Sequence, residues 1–314
     1  MAPIEKITYF AYNEGIDPTR LPLGMLAFDY ANARLSRRSF RPRENDEALL
    51  KDCNLVDEDK RSFCNMLWTE KSDALLNIDL KKVIEAGWNS SKSDARLIVG
   101  KKGSKLEIID SDKFFEDYLL KQDAVRQWFE TRLSVARSIT AAVNNLIKAP
   151  DMWLLTGIYI IEDGTVFSVR KESSSSHASA KMPIPEPTGL TGLAGLKAGA
   201  TIRIGNGIEA QASTQIEGEK VWAAQWIKVK ARYVAISKLR KNTEAVMHTV
   251  VLQDVWSTGT TRGWDDEPQA VELGLSNMHE DSTEEGNTSL FDEEWWSKFD
   301  DKLASHLEDL DIEE

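Results

Sequence analysis

Hydrophobic and polar positions change rhythm several times along this chain. After an amphipathic start (Ile4, Ile7, Tyr9, Phe10), Leu76, Ile78 and Leu80 alternate with Asn77, Asp79 and Lys81, the period of a half-buried strand. Leu97-Ile98-Val99, a Gly100-Lys-Lys-Gly103 turn and Leu106 to Ile109 then read as a strand pair. Asp112 is placed to cap a helix carrying Phe115, Tyr118 and Leu119. A longer helix follows, with Val125, Trp128, Phe129, Leu133, Ala136, Ile139, Val143 and Ile147 on one face, ending before Pro150. Met152 to Ile161 and Thr165 to Lys171 flank Asp163-Gly164, a hairpin signal. A serine run at 173–176 and a Pro/Gly-rich stretch through Gly199 separate these from strands at 201–204 and 221–236. In the last strand Val221, Ala223, Ile227, Val229, Ala231, Tyr233 and Ala235 form one face, and Trp222, Trp226, Lys228, Lys230 and Arg232 the other.

The end of the chain has a different character. From Trp256 to Asn287 it is polar, acidic and broken by Gly and Pro, as a linker is. Ser289 with Asp292 three residues on then resembles a capping box. Phe291, Trp295, Phe299, Leu303, Leu307 and Leu310 follow at helical spacing, with acids on the opposite face. Strands before and after the helices predict an α+β protein with a twisted, mainly antiparallel sheet, rather than a doubly wound parallel one.

Charge sharpens this division. Residues 256–314 hold 18 Asp or Glu against Arg262, Lys298 and Lys302, a net of −15; the whole chain of 314 residues carries −12, so residues 1–255 carry +3. A mildly basic body is thus tethered to an acidic tail, which either holds a basic surface in check or solubilises it. The domains read from this are 1–255, the body, and 256–314, a largely flexible acidic tail with an amphipathic helix at 289–312. The N-terminus has no uninterrupted apolar stretch of the secretory kind, and no run reaches the ~18–20 residues of a transmembrane helix. Cys53 and Cys64 have no metal or redox spacing. The expectation is a soluble cytosolic protein with free thiols.

Enzyme motifs are absent from the sequence: no phosphate-binding glycine loop, zinc-protease pattern, nucleophile elbow or calcium loop. His177, His248, His279 and His306 are scattered. No catalytic residue, metal or cofactor is expected. Binding chemistry stands out more. Arg34, Arg37, Arg38, Arg41 and Arg43 fall within ten residues. Near an anionic leaflet each is worth about 1 kcal/mol. The same arginines also suit a solvated loop paired with Glu44, Asp46 and Glu47. Nucleic acid is not expected, because the chain is acidic and shows no nucleic-acid module. Segments 74–85, 95–109 and 164–198 are long enough to supply membrane β-strands, which need about 9–11 residues, and equally suit ordinary soluble sheet.

From Ala149 to Val234 the chain resembles the pore-forming domain of gasdermins, especially their fungal relatives. The run Met152-Trp-Leu-Leu-Thr-Gly-Ile-Tyr-Ile-Ile, then Gly164-Thr-Val-Phe-Ser-Val, then Met182-Pro-Ile-Pro, looks like the family's paired strands and the segment after them. Val221 to Val234 looks like a later core strand, and the order of elements fits across residues 1–240. The resemblance implies a gasdermin N-terminal-like fold that binds acidic phospholipids, self-oligomerises and inserts β-hairpins in regulated cell death and non-self recognition (heterokaryon incompatibility). It places lipid binding at Arg34, Arg37, Arg38, Arg41 and Arg43, and membrane insertion at Leu97, Val99, Leu106, Val166, Val169, Leu190 and Leu193. The helix at the end would dock on the body through Phe291, Trp295 and Phe299. A related allelic partner or an activating protease would be the trigger, with the protein cytoplasmic when inactive and at the plasma membrane when active. Animal gasdermins carry a large globular repressor where this chain has some sixty residues, so repression by a second folded domain is not implied. The alternative is a soluble signalling protein that docks a partner through its C-terminal amphipathic helix.

Overall fold

The computed structural model describes residues 9–33, 38–42, 55–69, 74–77, 95–144, 148–171, 182–183, 197–205, 208–235, 249–252, 269–276 and 291–311. The class is α+β, with mainly antiparallel strands. The chain forms two compact units: residues 1–23, 43–109 and 155–226 in the first, and 24–42, 110–154 and 227–314 in the second. Two long strands, β9 (Met152–Lys171) and β12 (Ile208–Ala235), contribute part of their length to each.

The first unit is built on three long antiparallel lines of strand. β4 (Val56–Arg61) and β5 (Cys64–Thr69) form one line, and β7 (Ala95–Gly100) and β8 (Lys102–Ile108) the next. Residues 155–171 of β9 form the third. Register is continuous through all three: Val56 pairs with Ile108 and Thr69 with Ala95, while Glu107 pairs with Gly157 and Ala95 with Val169. Neither hairpin expected from the sequence forms. Gly100 to Gly103 and Asp163-Gly164 are not chain reversals but interruptions within long strands, and these two strands pair with each other.

The glycines explain why. A Cβ at Gly103 would lie 2.5 Å from Cys64 Sγ, one at Gly164 2.7 Å from Ile98 Cδ1, and one at Gly100 would collide with Ile161. They provide clearance on the packed face. The backbone irregularity falls on Asp163, with φ +52°, whose carboxylate accepts the Gly218 N–H at 3.0 Å from neighbouring β12. All three lines break at one level: Ser62-Phe63, Lys101 and Asp163-Gly164. Across that level the faces exchange. Ile98 and Val166 share a buried cluster with Tyr159 and Ile161, although five residues separate Ile161 from Val166. Because all three lines take the extra residue at the same level, the pairing register is kept and no strand bulges against its neighbour.

This cluster, with Tyr9, Cys64, Met66, Trp68 and Trp222, is the core of the first unit. Its polar members are satisfied: the Tyr9 hydroxyl donates to Glu107 at 2.6 Å, and Tyr159 to Asn77 at 2.6 Å. Burial pushes both phenols up, and raises the Cys64 thiol to about 11. Around it lie β1 (Phe10–Ile16) and the β12 residues through Trp226, β6 (Leu75–Leu76) on β5, and β10 (Met182–Pro183) and β11 (Thr201–Gly205). Of the alternating segment, Leu76 is in this strand, while Ile78 and Leu80 lie outside the described residues. Trp222 and Trp226, grouped above with Lys228, Lys230 and Arg232, are both buried, and the Trp226 indole donates to the Tyr12 hydroxyl at 3.2 Å. β12 also starts well before Val221, at Ile208.

In the second unit, β2 (Leu26–Ala27) pairs with β3 (Ser39–Phe40) and with Trp153–Leu154 of β9. Asp110, not Asp112, caps the next helical turn, accepting the Lys113 N–H at 2.9 Å, and a π-turn at Phe114–Leu119 buries Phe114, Phe115 and Leu119. Helix α1 (Asp123–Asn144) buries Val125, Trp128, Phe129, Leu133, Ala136 and Ile139, the expected stripe; the Val143 side chain and Ile147 lie outside the described residues. Residues 228–235 of β12 pair with β14 (Gln269–Ser276), which pairs with β13 (Thr249–Val251). β14 corrects the reading of 256–287 as linker: Ala270, Val271 and Leu273 are buried there, and eight residues of strand are offset by flanking acids in any compositional window. Helix α2 (Glu293–Asp311) completes the unit and packs on α1.

Candidate functional site

The acidic end of the chain is held by a defined socket, and its local structure follows from its sequence. Asp292 accepts the Trp295 N–H at 2.8 Å and so is itself the N-cap. Ser289, expected in that role, lies outside the described residues. Glu293 and Glu294 in the first turn suit the helix dipole, and Glu294 pairs with Lys298 one turn on at 2.7 Å. The aromatic stripe then faces inward: Trp295, Phe299 and Leu303 are buried, and Phe291 is half-buried with its ring 4.8 Å from that of Trp295.

The socket is set by the β2–β3 hairpin and α1. The Phe28 N–H donates to the Arg38 carbonyl at 3.1 Å, which fixes these two residues side by side. Phe28 stacks on Trp128 at 5.4 Å and meets Phe299 edge-on at 5.5 Å and Trp296 at 5.5 Å. Arg38 reads the next turn of α2. Its Nε lies 3.2 Å from each Asp300 oxygen and its Nη2 2.7 Å from Oδ2, while its guanidinium sits 4.7 Å over the Trp296 ring. The Arg38 and Asp300 side chains are only 19% and 26% exposed, so this pair falls between a solvated ion pair and a buried one. Such a charge-assisted fork contributes about 1.5–3 kcal/mol.

Further along, Arg132 of α1 lies 4.9 Å from the Trp128 ring, and burial lowers its pKa to about 10. With Leu303, Ala304 and Leu307 it lines a small cavity of about 190 Å³. Among the described residues, the indole Nε1 atoms of Trp128 and Trp295 and the Nε2 of His306 are buried and make no hydrogen bond.

Of the five arginines, the structure brings Arg38 to this site. Arg41 is exposed, and Arg34, Arg37 and Arg43 lie outside the described residues. Leu97, Val99, Leu106, Val166 and Val169 are buried within the first unit, Val166 on the face of Ile98 and Tyr159, and Leu97, Val99 and Val169 on the other. The central strands are therefore buried on both faces. Leu190 and Leu193 lie outside the described residues. Asp300, Trp296 and Phe28, which complete the socket, were not singled out from the sequence; the signal for the first two was a tryptophan and an acid four residues apart beside an inward stripe.

Among the described residues, no group of three His, Cys, Asp or Glu side chains is arranged to hold a metal ion, and no helix is long and apolar enough to cross a membrane. The chain matches no model of a known protein family and no curated protein.

Proposed function

We propose that this chain is a membrane-perforating effector of regulated cell death, acting in non-self recognition and held in check by its acidic C-terminal helix. In this reading the cationic segment around Arg38 docks on acidic phospholipids. The body then oligomerises, and its strand segments rearrange into membrane-spanning hairpins; no catalytic group or cofactor is needed. The inactive form is cytoplasmic and the active form sits at the plasma membrane. The observation that carries the proposal is the Arg38–Asp300 fork: a cation from the arginine-rich segment is occupied by a carboxylate from the acidic tail, next to buried aromatic residues of the same helix. Phosphate oxygens on a lipid surface offer Arg38 a pair of anionic acceptors for the same bidentate bonding.

The experiment is dye release from vesicles containing phosphatidylserine, compared with neutral phosphatidylcholine vesicles. The full chain is expected to be silent on both, and Asp300→Lys and Phe299→Ala chains to release dye from anionic vesicles alone. Silence from both variants, or equal release from neutral vesicles, overturns the proposal. Cutting at residue 255 is a poorer probe, because it removes β14 and its pairing along β12. A partner-docking protein using the same aromatic stripe would give no release under any of these conditions.

A further inference from the structure

We infer that the outer edge of β4 pairs antiparallel with the β4 edge of a second copy of this chain, in a single register, giving a two-fold dimer in solution. Among the described residues β4 pairs with β8 alone, which leaves its other edge without a strand. Which backbone groups face that edge follows from one hydrogen bond. The Ile109 N–H donates to the Leu55 carbonyl at 3.0 Å, and the register that sets Val56 against Ile108 sets Leu55 against Ile109. These two are therefore a hydrogen-bonded pair, and bonding alternates along an antiparallel strand. Leu55, Asp57, Asp59 and Arg61 direct their N–H and C=O groups at β8, while Val56, Glu58 and Lys60 turn theirs to the edge.

The edge reads Asp57-Glu58-Asp59-Lys60-Arg61, all exposed except the half-buried Asp59. Charges guard a strand edge against indiscriminate pairing. This particular order rejects the neighbouring registers and accepts one. A two-fold axis at Asp59 sets Glu58 opposite Lys60 and Asp57 opposite Arg61, each on both sides of the axis. Glu58 and Lys60 are also the residues whose backbone groups face outward, so each such pair exchanges both of its N–H···O bonds. An axis at Glu58 would oppose Glu58 to itself and Asp57 to Asp59, and an axis at Lys60 would oppose two lysines. An axis between residues would set outward groups against inward ones and form no ladder. Opposite charges across a strand pair stabilise it and like charges destabilise it, so the axis at Asp59 is selected. Its one like-charge contact, Asp59 with its own copy, is offset by Arg61, whose Nη2 lies 2.7 Å from Asp59 Oδ2 in the same chain. Both copies offer the same segment, so the contact is isologous and closes at two. It is small beside the ~1,200–2,000 Å² of stable interfaces, which makes the dimer concentration-dependent.

The test is sedimentation velocity of the full chain without lipid, from about 1 to 300 µM, where dimer should grow with concentration and weaken at high salt. Glu58→Lys and Lys60→Glu each oppose like charges at two places, and each variant alone should dimerise about tenfold or more weakly. An equimolar mixture of the two restores both opposite pairs and should recover the dimer. The register is read by oxidation of chains carrying Cys53→Ser. Asp59→Cys should give a disulfide-linked dimer, since opposed residues of a non-hydrogen-bonded pair have Cα atoms about 4.5 Å apart, within disulfide reach. Asp57→Cys should not, because its copy lies four residues further along the pair. A chain that stays monomeric throughout, single variants that dimerise as the unmodified chain does, or a mixture no better than its components overturns the inference. Cross-linking through Asp57→Cys to the same extent as through Asp59→Cys also overturns it. No measurement involves a membrane or the docked α2, so a failure here is separable from a failure of pore formation.

Discussion

Replacing Phe299 with alanine should undock α2 while leaving the first unit folded. Phe299 is fully buried, and its ring contacts Phe28 at 5.5 Å, Trp295 at 5.5 Å and Trp296 at 5.4 Å. Truncating a buried phenylalanine costs about 3–5 kcal/mol, and the spread reflects how far neighbours close over the space. Here the neighbours on α2 are two large rings on the same helix that shift with it, so partial closure favours the lower end, about 3 kcal/mol. That corresponds to roughly a hundredfold rise in the population with α2 released. Native-state hydrogen exchange reads this directly, because local opening and global unfolding separate residue by residue. Amides of Glu294 to Leu307 should lose about two decades of protection, with those of β7 and β9 unchanged. Leu307→Ala is the internal control: that side chain is 40% exposed, and its truncation should shift protection by less than about 1 kcal/mol. Equal effects of the two variants, or a loss spreading to β7 and β9, would refute the reasoning.

Two further perturbations address the first unit. The Cys64 thiol is raised by burial to about 11 from an ordinary value of 9.0, so its contribution to stability is complete below about pH 9 and is lost as pH climbs through 11. Urea unfolding at pH 8 and pH 11 should show a fall that Cys64→Ala makes shallower by up to about 2 kcal/mol, the buried Tyr9 and Tyr159 carrying the rest; an identical alkaline limb in the variant would count against it. Asp163 occupies left-handed backbone at φ +52° and accepts the Gly218 N–H. Asp163→Ala should lower stability by about 1–2 kcal/mol and Asp163→Asn by clearly less, because asparagine tolerates that conformation; equal urea midpoints for the two would rule this out.

How legible the fold was in the sequence depended on whether local chemistry had one meaning or two. Helix α1 was readable because Val125, Trp128, Phe129, Leu133 and Ala136 recur at a spacing that no strand satisfies. The inward stripe of α2 was readable for the same reason. Gly100, Gly103 and Asp163-Gly164 were misread because glycine serves both to reverse a chain and to clear space for a neighbour. Only the residues opposite them, Cys64, Ile98 and Ile161, decide which. The early part of β12 was faint because its inward positions include the small Ala210 and Ala212, and the alternation lapses into the polar run Ser213-Thr214-Gln215. β14 was hidden by the acids around it. At the socket, the arginine cluster announced itself by density, but its partner Asp300 is one of many acids in the tail. What distinguishes Asp300 is its angle on the helix relative to Trp296, and its pairing with an arginine 262 residues away.

The shared level of breaks in the first unit also governs which changes this chain can tolerate. Because inside and outside exchange at Lys101, the rule for substitution inverts there. Even-numbered positions before it, such as Ile98, and odd-numbered positions after it, such as Gly103, look onto the same cluster. Deleting Lys101 alone would restore simple alternation in one strand while its two neighbours kept theirs broken. Every pairing on one side would then slide by a residue against partners that had not moved. The three interruptions are thus a single mechanical unit: the register survives the loss of one only if the other two are lost with it.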